Sequence, residues 1–118
     1  MKIIKRSEVE NQNRPMGRIV QKIFSHKFIK PASSMAMFLS FMPQSKLDFH
    51  YHKETEEILV FPNGGKIEVN DKLYSLEPWD TVLIEPGDVH GFSGSDKDVY
   101  CLAMRFPDNE DKIRVEKK

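Results

Sequence analysis

Cysteine is nearly missing from this chain. Cys101 is the only one in 118 residues. No internal disulfide can form, and the composition suits a reducing cytoplasm. A charge excess is missing too: Lys and Arg total 18, Asp and Glu total 18, and the formal net charge is +0. Nucleic-acid binders usually carry a basic excess, so nucleic acid is not an expected partner. No apolar run approaches the roughly 18 residues that a membrane span needs. The opening "MKIIKRSEVE" lacks the apolar core of a signal peptide. These absences lead to the expectation of a soluble, cytoplasmic protein with no membrane partner. Helical periodicity is also lacking, since no segment keeps apolar residues at i, i+3, i+4 and i+7 over three turns. Asn and Gln are few while charged residues make up 31%, a composition that leans toward a thermophilic source.

What the chain does have is a series of short apolar runs rich in Ile, Val, Phe and Tyr. They read "IIK", "GRIVQKIF", "MAMFLSFM", "KLDFHYH", "EILVF", "KIEV", "KLYSL", "TVLIE", "DVHGF" and "DVYCLAMRF". Turn residues separate them, which indicates an all-β sandwich or barrel. Asn70-Asp71 is a two-residue hairpin turn between "KIEV" and "KLYSL". "FPNGGK" is another turn, where Gly64 and Gly65 can take positive φ. Pro78 and Pro86 sit at strand edges, where a missing N–H does least harm. The length fits one domain, 1–118. Within it, the region 1–34 includes "KIIKRSEV", an element able to pair with a second subunit. The tail 107–118 is mostly charged; it is either a frayed end or a last edge strand carrying Ile113 and Val115.

The densest chemistry lies in "FHYHKETEEILVFPNGG", residues 49 to 65. In a strand, His50 and His52 point to one face and Phe49 and Tyr51 to the other. Two imidazoles about 7 Å apart along a strand can reach one point between them. A pair of histidines at this spacing is often a surface accident. The following "TEEILVF" can fold back beside them and add a carboxylate. Glu56 and Glu57 point to opposite faces, and the apolar pattern does not choose between them, because Ile58 and Val60 match one while Leu59 and Phe61 match the other. Both can also be read as solvated residues at a strand start. His90, after a Pro-Gly turn, is alone an ordinary loop histidine. Together, two histidines, a carboxylate and a fourth donor from a distant strand suit a borderline divalent metal.

At these residues the chain resembles the cupin superfamily. The first cupin motif has His-x-His, three or four residues, Glu, six residues and Gly. Here it reads His50-Tyr51-His52, "KETE", Glu57, "ILVFPN" and Gly64, a count that favours Glu57 over Glu56. The second motif reads "WDTVLIEPGDVH", ending on Gly87 and His90. "HGF" and "PQSKLD" look most like the small single-domain cupins of thermophiles, manganese-containing ones included. The resemblance spans about residues 35–105. It implies a jelly-roll antiparallel β-barrel with metal ligands His50, His52, Glu57 and His90. It implies a divalent metal ion (Mn, Fe, Ni or Zn), a small-molecule ligand or substrate, and a homodimer. Departures are Gln44 and Trp79 where the motifs have glycine, Glu85 at the motif's proline with Pro86 following, and Gly94 where many members have Asn.

Residues outside the motifs carry weaker expectations. Trp79 suits an interface or a pocket rim as well as the core. His26 reads more readily as a satisfied or exposed histidine than as a cavity residue. Phe92 is pocket wall or core. In "VYCLAMRF", Val99, Cys101, Ala103 and Arg105 share a face. Were that face inward, Cys101 would stand near the metal and Arg105 could hold an anionic substrate; a small core thiol and an outward arginine is the preferred reading. The run "MAMFLSFM" is expected in the core. Lys46 and Asp48 share the parity of His50 near the barrel mouth. The expected activity is metal-dependent and oxidoreductase-like, of dioxygenase type, on a small oxygenated molecule. A non-catalytic binding or sensing cupin and a sugar isomerase or epimerase are the alternatives.

Overall fold

The computed structural model of the chain describes residues 1–28, 33–42, 49–92 and 97–116. In chain order the early strands are β1 (Lys2–Ile4), β2 (Asn11–Asn13), β3 (Ile19–Gln21), β4 (Ala36–Met42) and β5 (His50–His52). Then come β6 (Glu56–Phe61), β7 (Gly65–Val69), β8 (Lys72–Leu76) and β9 (Asp80–Ile84). The last are β10 (His90–Gly91), β11 (Val99–Phe106) and β12 (Lys112–Arg114). One sheet has the order β1-β9-β6-β11-β4, the other β12-β5-β10-β7-β8, and β2-β3 is a separate hairpin. Every pairing described is antiparallel.

The two five-stranded sheets enclose one core. Leu59, Phe61, Val82, Ile84, Val99, Cys101 and Ala103 come from the first sheet, and Ile67, Val69 and Leu76 from the second. The alternation that builds this core is the period of two visible in the sequence. The expected turn at Asn70-Asp71 is present, with φ of 50° and 68° at the two residues, as a type I′ hairpin requires. Gly64 has φ of 72°, and a Cβ there would come within 2.5 Å of the Leu76 carbonyl oxygen. Only glycine satisfies both the angle and the space.

Two expectations about strands need correction. "MAMFLSFM" does not lie in the core. Its strand β4 is the edge of the first sheet, and Met37, Leu39 and Phe41 are 60%, 75% and 55% exposed. Hydrophobic composition alone does not separate an edge strand from a central one, because the missing neighbour is a property of the topology. The opening strand "KII" pairs with β9 of its own chain rather than waiting for a partner. It is anchored by Asp80, whose buried carboxylate accepts from the Lys5 ammonium and, at 2.9 Å, from the Arg6 N–H. The tail resolves in favour of a strand: β12 pairs with β5, placing Ile113 opposite Tyr51.

Candidate metal centre

His50 and His52 lie on β5 with both rings buried and Tyr51 turned away from them. His90 on the neighbouring β10 is the direct cross-strand partner of His50, and their ring centroids are 4.3 Å apart. Glu57 reaches them from β6 in the facing sheet, on the same face as Leu59 and Phe61. One donor atom from each of His50, His52, Glu57 and His90 can be chosen so that all lie within 4.8 Å of one another. All four residues are buried. Two sheets therefore supply one cluster from opposite sides.

The turn that carries His90 is tied to the strand that carries His50 and His52. Gly87 N–H donates to the His52 carbonyl at 2.9 Å. Asp88 accepts from Glu85 N–H and the Asn70 amide, both at 2.9 Å, and Asn70 in turn accepts from Val89 N–H. His90 Nδ1 lies 2.9 Å from the Asp88 carbonyl oxygen. A carbonyl only accepts, so Nδ1 carries the proton and Nε2 offers its lone pair to the cluster.

The donor set fits a divalent cation. Glu57 Oε1 stands 2.7 Å from His52 Nε2 and 3.3 Å from His90 Nε2. His52 Nε2 and Glu57 Oε1 are both buried, and neither has a hydrogen-bond partner among the described residues. Buried polar atoms in native proteins are nearly always satisfied. An unsatisfied nitrogen and carboxylate oxygen facing each other, beside a second imidazole lone pair, form a place where positive charge is wanted. Burial alone would raise the pKa of Glu57; in the metal-free site, imidazoles of His52 and His90 that carry a proton toward it overcome burial and hold the carboxyl well below the usual carboxylate range, and a bound cation would take over that role. The carboxylate is thus charged and ready as a ligand.

The expectations about neighbouring residues divide. Glu57, not Glu56, faces the histidines. Glu56 is buried on the opposite face of β6, with its Oε1 3.4 Å from His26 Nε2. His26 is therefore a partnered histidine outside the cluster, packed against the rings of Phe24 and Phe28. The preferred reading of Arg105 as outward is overturned. Val99, Cys101, Ala103 and Arg105 form the inward face of β11, and Arg105 Nε donates to Glu57 Oε2 at 3.0 Å. Its guanidinium also lies 4.5 Å from the Phe38 ring centroid. The reading of Cys101 as a core thiol holds: burial, and then the Glu57 charge, push its pKa up to about 12. Phe92 packs on the core, 5.7 Å from Phe61 between centroids. Gln44, Lys46, Asp48 and Gly94 lie outside the described residues.

Comparison with solved structures reads the same fold. A cupin protein from Bacteroides fragilis matches with a TM-score of 0.57 at 19% identity, covering 73% of each chain. A double-stranded β-helix protein from Klebsiella pneumoniae matches with a TM-score of 0.63 at 15% identity, over 76% of this chain and 82% of its own. Pac13 of Streptomyces, a nucleoside dehydratase, matches with a TM-score of 0.61 at 13% identity, over 96% of this chain and 89% of its own. No family model and no curated protein sequence matches the chain. The chain has the cupin fold.

Against the cupin pattern, the departure at Trp79 becomes intelligible. It stands where the second motif has glycine, and it keeps the left-handed backbone that glycine would favour, with φ of 70°. Its ring is 54% exposed and edges a cavity of about 430 Å³. Arg6, Gln21, Phe24, Ile58, Val60 and Met104 also line that cavity. It lies on the outer face of the first sheet, away from the histidine cluster, so Trp79 is a pocket-rim residue and not part of the centre.

Sequence reasoning missed one residue beside the candidate centre. Asp111 precedes β12, and its Oδ1 is 3.1 Å from His52 Nδ1. Its Oδ2 accepts from the N–H groups of Glu54 and Thr55, at 2.7 and 3.0 Å, and Oδ1 accepts from the Thr55 hydroxyl at 2.9 Å. Asp111 lies 59 residues beyond His52 in a charged tail, where nothing local marks it. Only the pairing of Ile113 with Tyr51 brings it there.

Proposed function

We propose that this cupin holds one divalent metal ion with His50, His52, Glu57 and His90 and acts on a small oxygenated molecule. The observation that supports the reading most is the pair of buried, unpartnered atoms, His52 Nε2 and Glu57 Oε1, within a cluster of four donors. Three imidazoles and a carboxylate leave room on a six-coordinate ion, which would supply Lewis acidity or redox capacity to a bound substrate. The protein's own residues would do the rest. His90 and His52 present lone pairs, Glu57 supplies negative charge, and Arg105 fixes the carboxylate. Phe61, Ile67 and Val82 are fully buried in the core that the same two sheets enclose, an apolar interior in which charges interact more strongly than in water. β12 sets Lys112 and Arg114 in register with His52 and His50 at exposed positions, a positive edge that would favour the approach of a substrate carrying anionic oxygen.

The reaction class proposed is oxidation by dioxygen. Elimination of water is the second reading, favoured by the nucleoside dehydratase among the matching structures. A non-catalytic sensor is the third. Metal-free acid–base isomerisation is the least supported, because the imidazoles are turned toward one another and toward Glu57. The test is oxygen uptake by iron- or manganese-loaded protein across diketones, catechols, thiols and hydroxy acids, with dehydration followed in parallel. Oxygen consumption with one class supports the first reading. Turnover without oxygen supports elimination, and tight ligand binding with flat traces in both assays supports the sensor.

The resemblance's homodimer is proposed here as well, with the cytoplasm as its setting. Met37, Leu39, Phe41 and Tyr100 are all exposed on the outer face of β4 and β11, and pairing of two such faces would remove them from water. Light scattering on the purified protein checks this: a mass of two chains is expected, and a monomer at micromolar concentration contradicts it.

A further inference from the structure

The contacts of Asp111 have a consequence for the histidine they touch. A carboxylate can only accept, so an Asp111 oxygen 3.1 Å from His52 Nδ1 requires the proton on Nδ1. Nε2 faces Glu57 Oε1 at 2.7 Å, where only a proton or a cation can lie between them; a cation takes that place at Nε2 while Asp111 keeps the proton on Nδ1. His90 reaches the same state through a backbone carbonyl. For His52 the acceptor is a side chain delivered by the tail.

We infer that Asp111 is a positioning residue for the metal centre: it sets the tautomer and orientation of His52, so that β12 completes a site whose ligands lie elsewhere in the chain. This rests on the metal reading above. Outer carboxylates that hold a ligand imidazole commonly contribute about 10–100-fold in metal affinity. Asp111 is itself over-determined, with Glu54 N–H, Thr55 N–H and the Thr55 hydroxyl on its two oxygens. These bonds fix the carboxylate, and the carboxylate fixes the ring. They also close the link between β5 and β6, so the same residue sets the spacing between His52 and Glu57.

The substitution Asp111→Asn separates positioning from mere bracing. Two backbone N–H groups point at the Oδ2 position, so the amide oxygen takes that place and the NH₂ takes the other. The link stays closed, but a donor now faces His52 Nδ1. The ring must then accept at Nδ1 and carry its proton on Nε2, where it cannot bind a metal.

The experiment is zinc affinity by chelator competition on the full chain, with wild type, Asp111→Asn and Asp111→Ala compared. Ring ¹⁵N shifts of His52 are recorded on the metal-free proteins at alkaline pH. Positioning predicts a loss of about 10-fold or more for Asp111→Asn, with a melting temperature of the metal-free form close to wild type. It also predicts a proton on Nδ1 in wild type, with or without one on Nε2, and none on Nδ1 in Asp111→Asn. Affinity in Asp111→Asn equal to wild type, with loss only in Asp111→Ala, overturns it and leaves a brace. Should wild type bind no zinc, the metal reading fails, and the ring shifts still decide: a tautomer switch upholds the control of His52 by Asp111, and an unchanged tautomer overturns it.

Discussion

The two faces of β6 hold adjacent buried glutamates, and they differ in everything but burial. Inside, Glu57 meets His52, His90 and Arg105 and lies in a cluster with His50. Outside, Glu56 meets His26 at 3.4 Å under a cover of Phe24 and Phe28. A buried carboxylate beside one imidazole is a closed pair. With the Nε2 atoms of two imidazoles converging on one of its oxygens, it is an unfinished site. Convergence of donors from two sheets, rather than burial or histidine content, separates the candidate centre from an ordinary polar contact.

The strongest way to break the comparison is to remove each carboxylate in turn. Glu57→Ala is expected to take bound metal from about one ion per chain to near none and to abolish metal-dependent stabilisation. Glu56→Ala should leave the metal content unchanged. Elemental analysis of the two purified variants decides it, and equal losses would remove the distinction. Arg105→Ala comes next. It leaves Glu57 Oε2 without its partner in a buried place, and the metal-free protein should lose about 3 kcal/mol in denaturant titration. The same substitution also takes a cation from the Phe38 ring.

Acid should act on the inner carboxylate. The pKa of Glu57 is depressed in the folded chain, so its contribution is complete above its unfolded value of about 4.5 and is lost as pH falls below that. Asp80 and Asp111 act in the same direction. Burial alone would raise both, but Lys5 and the Arg6 and Glu77 N–H groups lower Asp80, and the Glu54 and Thr55 groups with His52 lower Asp111. Melting temperature of the metal-free protein should therefore hold above about pH 5 with respect to these groups and fall steadily below it. A rise in stability on acidification would contradict the assignment.

Two smaller effects sharpen the picture. Cys101, with its thiol pushed up to about 12, should resist alkylation at neutral pH until denaturant is added. Labelling of the native protein would mean that the inner face opens. Trp79→Gly should change stability by less than about 1 kcal/mol, because relief of the left-handed backbone offsets the loss of a half-exposed ring. A loss well beyond that would give the ring a packing role.

How much of this the sequence carries depends on the distance between the residues concerned. His50, His52 and Glu57 fall within eight positions, and the alternation of a strand puts the imidazoles together before any fold is known. His90 is legible because the turn "EPGDVH" precedes it. Alternation could not choose between Glu56 and Glu57, since both continue into apolar sets, and only the spacing of the cupin motif favoured the second. Arg105 was readable as a parity, though not as a direction, because an arginine at a strand end is usually turned to water. Asp111 was not readable at all: its role is created by the pairing of β12 with β5, which no local pattern announces. The exposure of β4 was missed for the same reason, since β4 stands last in its sheet among the described residues and no local pattern shows which strand does.

The central claim is that His50, His52, Glu57 and His90 share one cation. Anomalous diffraction from crystals of manganese- or zinc-loaded protein tests it directly. The account predicts a single strong peak enclosed by those four side chains, absent in Glu57→Ala and retained in Glu56→Ala. A peak elsewhere, or none in fully loaded wild-type crystals, would contradict it.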